Sequence, residues 1–178
     1  MENKERASLK VSLIPIVILV GLILGAGFFL LKDEIQLPKF NKGPTIQRLE
    51  GFPTVIYTQN DMVKQRKVIS NDQELDEFLN FVDKSGMLQM REKINFDKDV
   101  VLAVSSDSHD EVGRKIKITK VYEDKKNKEL KVIVEETKPG ETCSPEVDKN
   151  ITVDMVKISK TDWEISFDRV TKVKECQN

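Results

Sequence analysis

Residues 71–86 read NDQELDEFLNFVDKSG, and the fold class turns on them. Asn71 can cap a helix, and Glu74, three residues on, completes a capping box. Leu75, Phe78, Leu79 and Val82 then recur on one face until Gly86 can end the run. This apolar stripe predicts a core-facing seam; the competing reading is a ligand groove built on Phe78 and Phe81.

Everything after this helix reads as strand. Val100 to Val104 (VVLAV) is a short apolar run suited to a central strand. Arg114 to Val121 and Leu130 to Glu136 each keep their apolar residues on one face, with Asp124 to Lys128 as the hairpin link. Ile151, Val153 and Met155 alternate, and Val156 and Ile158 continue in the opposite parity, which predicts a bulge or a change of face near Met155. Trp163, Ile165 and Phe167 share the face of a last strand. Before the helix, Pro53 to Thr58 and Met62 to Ile69 read as strands joined by a turn at Gln59, Asn60 and Asp61. Two strands, one helix and five strands with tight links predict an α+β fold, a mainly antiparallel β-sheet covered on one face by a single helix.

The front of the chain is different. Val11 to Leu31 is an uncharged run of 21 residues between Lys10 and Lys32, and about 20 helical residues span a bilayer. It predicts a transmembrane signal-anchor helix. The rival is a cleaved signal peptide with its site at Gly25, Ala26 and Gly27, although Phe28 to Leu31 extend the apolar run past that point. Lys4, Arg6 and Lys10 favour a cytoplasmic N-terminus, weakly opposed by Lys32, Lys39 and Lys42. Gly21 and Gly25 have the spacing of a helix-pairing motif. The expected organisation is a cytoplasmic segment 1–10, a membrane helix 11–31, a Pro/Gly-containing stalk 32–48 and an extracytoplasmic domain 49–178 of a single-pass protein in the cytoplasmic membrane.

Residues 1–32 hold four of the 29 basic and two of the 30 acidic residues, which leaves 25 and 28 in the outer part. That balance argues against nucleic acid, whose phosphates call for a basic excess. The densest basic run, Lys125, Lys126 and Lys128, falls in the hairpin tip and reads as a solvated turn.

Phe96-Asp97-Lys98-Asp99 before VVLAV, Gly113 leading into KIKITKV, ELKVIVEETKPGETC and the strand from Val153 to Ser159 together resemble the C-terminal domain of the protease complex subunit PrcB family. The resemblance spans about residues 66–170. Where that family often has a Gly-Gly-aromatic step, this chain has Val112-Gly113-Arg114. The resemblance implies a small extracytoplasmic domain of lipoproteins or anchored proteins, one of them tied to a surface protease complex, with no chemistry of its own.

Residues for chemistry are sparse. The only histidine, His109, lies in SSDSHDEVG, so a histidine-rich metal site has no ligands. Ser106, Ser108 and His109 invite a hydrolase reading, but members of a triad usually converge from separate loops. Asp107, Asp110 and Glu111 lack the alternation and glycine of a calcium loop. No catalytic residue, metal ligand or cofactor is expected. Asn150-Ile151-Thr152 is a glycosylation sequon, relevant only to a source that glycosylates. The two cysteines, Cys143 and Cys176, read as a disulfide in an oxidising compartment, with free or intermolecular thiols as the alternative. Together these features predict a membrane-anchored, non-catalytic binding or accessory domain with a protein partner. The alternatives are an envelope hydrolase using the Ser106, Ser108 and His109 loop, and a spacer domain.

Overall fold

The structure is a computed structural model that describes residues 43–176. Among the described residues no helix is long and apolar enough to cross a membrane; Val11 to Leu31 lies outside them. The elements in chain order are β1 (Gln47–Arg48), β2 (Thr54–Tyr57), β3 (Arg66–Ile69), α1 (Asp72–Val82), β4 (Asp99–Ser105), β5 (His109–Glu111), β6 (Lys115–Asp124), β7 (Glu129–Pro139), β8 (Val147–Ser159) and β9 (Glu164–Lys174). The described residues are mostly antiparallel β-sheet with one helix, as the residue pattern predicts.

α1 begins where the sequence places it. The Asn71 side chain accepts the Glu74 N–H at 2.9 Å, and the Glu74 carboxylate accepts the Ser70 N–H at 2.7 Å, one residue before the usual partner of a capping box. Its end differs from expectation. The helix stops at Val82 because the Asp83 carboxylate takes the Ser85 and Leu88 N–H groups, and Gly86 sits one turn later at φ +70°.

The single sheet of the sequence reading is two sheets. In the first, β1, β8, β4 and β3 lie in that order, and β2 and β5 also pair with β8. Thr54 and Ser105 flank Val153 of β8 from opposite sides, so β1 and β2 share one edge of this sheet and β3 lies at the other. The second sheet is β6-β7-β9. Stacked behind α1, the two sheets make three layers with two cores. Leu75, Phe78 and Val82 of α1 bury against Ile69, Val101, Ala103, Ile151, Val153 and Met155. Between the sheets, Leu102, Val104, Val156 and Ile158 meet Ile116, Ile118, Val132 and Val134.

This double burial removes the bulge predicted near Met155. β8 pairs with β4 in unbroken register from Val153 to Ser159. Its odd residues face α1 and its even residues face the second sheet, so the parity change is one strand covered on both faces. Asn150, Thr152 and Asp154 are buried on the even face and hide that pattern in the sequence. A register shift occurs instead between Ile118 and Lys120 of β6.

The predicted hairpin between residues 53 and 69 is also replaced. β2 pairs with β8 and β3 with β4, and the two do not pair with each other. At the front edge, β1 and Gly43 belong to the domain although the sequence reads them as stalk. A side chain at Gly43 would place its Cβ 1.9 Å from the Val121 carbonyl oxygen, so only glycine fits that approach.

Candidate functional site

Ser105, Ser106, Asp107 and Ser108 form a bracket for the preceding strand. The N–H groups of Met62, Lys64 and Gln65 donate to Ser108 Oγ (3.1 Å), Asp107 Oδ1 (2.9 Å) and Ser105 Oγ (3.0 Å). Side-chain oxygens thus replace ladder carbonyls, which explains why the strand expected from Met62 becomes regular only at Arg66. Ser106 is buried; its Oγ accepts the Thr152 N–H at 3.0 Å and donates to the Asp107 carbonyl at 2.8 Å. Among the described residues no hydrogen bond joins the His109 ring to a serine. The cavity beside Ser106, His109, Arg114 and Glu136 holds about 10 Å³, room for about one water molecule. The hydroxyls of the hydrolase reading are therefore engaged with backbone.

Burial holds His109 below its ordinary value, and the neighbouring Arg114 adds to this. Behind it, Glu136 joins the sheets by accepting from Arg66 and Arg169, each at 3.0 Å. Deeper in the same interface, Asp154 pairs with Arg48 and accepts the Ile118 N–H at 2.7 Å, while Arg48 Nη2 donates to the Ile118 carbonyl at 2.8 Å. The irregular step of β6 leaves both backbone groups of Ile118 turned inward, and this ion pair satisfies them. Desolvation raises the Asp154 carboxyl above its ordinary value, opposed by Arg48 and the Ile118 N–H.

Asn150 is fully buried, and its amide Nδ2 donates to the carbonyls of Asp148 (2.7 Å), Glu111 (3.2 Å) and His109 (3.4 Å). The sequon is thus a core element of the folded domain. No group of three metal-ligating side chains is found among the described residues.

Cys143 and Cys176 are paired at disulfide distance, with Cα atoms 5.0 Å apart. The reason is topological. β7 and β9 run parallel, with Pro139 beside Lys174 at their common end, so the segments leaving them emerge side by side. Thr142 reinforces the join, its N–H and Oγ1 contacting the Glu175 carboxylate at 3.2 and 2.8 Å.

The feature that sequence reasoning missed is a groove of about 720 Å³ between residues 54–63 and residues 81–88. Val63 and Met87 stand on its rim with 70 and 84% of their surface exposed. Ile56, Met62, Phe81 and Leu88 give it an apolar floor continuous with the core beneath α1. An ion pair between Lys149 and Asp61 fixes one wall, and the Asp83 turn fixes the other. Of the eight large apolar residues exposed among the described residues, four border this groove, Val63 and Met87 beside its floor and Val55 and Tyr57 on the opposite face of β2. No family model, curated protein or solved structure matches the chain.

Proposed function

We propose that the chain is a membrane-anchored accessory domain that binds a partner protein outside the cytoplasm through the groove between β2 and the end of α1. The observation that carries this reading is one concavity with an apolar floor of Ile56, Met62, Phe81 and Leu88 and with Val63 and Met87 exposed beside it. Contiguous apolar surface with a polar rim is the usual mark of a protein contact. The uncharged run Val11 to Leu31 supports the anchor. The Cys143–Cys176 pair supports an oxidising compartment. The resemblance to the PrcB family supports a protease or envelope complex as the partner.

The test is crosslinking and affinity purification of the full chain beside a Met87→Asp form. Met87 is so exposed that the fold tolerates the charge, so the variant should lose the partner that the parent repeatedly recovers. Equal recovery of the same partner by both overturns the groove reading. Resistance to alkaline carbonate extraction, with digestion of the domain by protease added outside intact cells, checks the anchor and its orientation.

A further inference from the structure

A second slot lies on the opposite edge of the six-stranded sheet. It runs between β3 and α1, has a volume of about 550 Å³ and is lined by residues that include Lys67, Val68, Glu74, Glu77, Phe78 and Phe81. Among the described residues β3 has β4 on one side and no strand on the other. The Ser105 N–H donates to the Gln65 carbonyl at 3.0 Å, which makes that opposed pair a hydrogen-bonded one. Since such pairs alternate along an antiparallel ladder, the backbone groups of Lys67 and Ile69 face β4 and those of Arg66 and Val68 face outward into the slot. An edge of this kind is complementary to one chemistry above others, another extended backbone.

The opposite wall selects among such backbones. α1 carries Asp72, Glu74, Asp76 and Glu77 and no basic residue from Asp72 to Val82. None of these four carboxylates is in an ion pair with a described residue. On the β3 wall, the Arg66 guanidinium is turned away to Glu136, so Lys67 alone opposes the acidic side. Phe78 and Phe81 offer an apolar surface below the carboxylates. A lysine or arginine matches this pairing, with its stem over the rings and its charge at Glu77.

From this geometry we propose that the slot takes a basic, extended peptide segment of a partner protein as an added strand on β3. This goes beyond the groove at β2 and stands on different residues. An incoming strand would present alternate side chains to α1, so basic residues are read at every second position.

The test uses the full-length chain and two heptapeptides, TKVKVKT and its charge-reversed counterpart TEVEVET, with amide hydrogen exchange as the readout. In the free chain the Arg66 and Val68 amides should exchange fast and those of Lys67 and Ile69 slowly. Saturation with TKVKVKT should slow Arg66 and Val68 selectively, and TEVEVET should bind about tenfold more weakly or worse, from two contacts turned from attraction to repulsion. Glu77→Lys, at an exposed helix position, should lower affinity for TKVKVKT by about fivefold or more without loss of fold. Absence of binding, equal affinity for the two peptides, or protection at Val55 and Tyr57 in place of Arg66 and Val68 would each overturn the proposal. The last of these outcomes would leave the β2 groove standing.

Discussion

Replacing Arg48 by Met removes the one cation beside Asp154 among the described residues. Asp154 is completely buried while Arg48 retains 28% of its side-chain surface, so the variant strands a carboxylate that water does not reach. Breaking a buried pair from one side costs about 3–5 kcal/mol, and the partial exposure of Arg48 places this case at the low end. The Ile118 carbonyl loses its donor as well, about 1 kcal/mol more. A loss of about 3–4 kcal/mol is a large share of the stability of a small domain. Urea unfolding followed by Trp163 fluorescence reads it, because Trp163 packs against the inter-sheet core. The deficit should depend on pH. Burial lifts the folded carboxyl above the unfolded value of 3.8, so the folded state takes up the proton first and Asp154 costs less stability as pH falls toward 3.8. Without Arg48 the carboxyl rises further, and the gap between variant and parent should narrow from pH 7 to pH 4.5. A loss below about 1 kcal/mol, the range of exposed pairs, or a gap that widens in acid, would refute this account of the sheet interface.

Asn71→Ala should cost about 1 kcal/mol, measured by the same unfolding, because the Glu74 N–H loses its cap. Cys143→Ser should destabilise the oxidised chain by about 3–4 kcal/mol on the chain-entropy estimate, and hydrogen exchange should speed up first at the Lys174 end of β9. His109 is held low by burial, so the folded state resists its protonation; parent stability should fall as pH drops below about 6.5, and His109→Gln should flatten that slope. A slope unchanged by the substitution would assign the acid sensitivity elsewhere.

The elements that declare themselves in the sequence are those whose two faces differ. Helix α1 has a wet acidic face and a dry seam, and β6 and β7 are dry on one side only, so period and parity mark them. β8 is dry on both sides, and its even face carries Asn150, whose Nδ2 donates to the His109 and Glu111 carbonyls while its Oδ1 has no partner among the described residues, Thr152, whose N–H donates to Ser106 Oγ, and Asp154, held by the Ile118 N–H and Arg48. Those partners are distant in sequence, so alternation alone misreads the strand as changing face. The parallel pairing of β7 with β9 was illegible for a related reason. The residues from Asp168 to Lys174 are mostly exposed and polar, and only the return of the chain through β8 in the other sheet brings them beside β7. The cysteine pair, in contrast, was readable, since two cysteines leave one intramolecular partner each. The Phe78 and Phe81 helix was read for its seam, but the β2 groove was not, because its rim joins residues 54–63 to residues 81–88 across a fold that no local pattern encodes.

A photo-crosslinking residue placed at Met87 of the full chain in intact cells, with Asn127 at the exposed hairpin tip as control, tests whether the groove holds a partner protein. If the groove is the docking site, Met87 gives one discrete adduct, lost when Val63 is changed to Asp, and Asn127 gives no such adduct. The same adducts from both positions, or none from Met87, would contradict it.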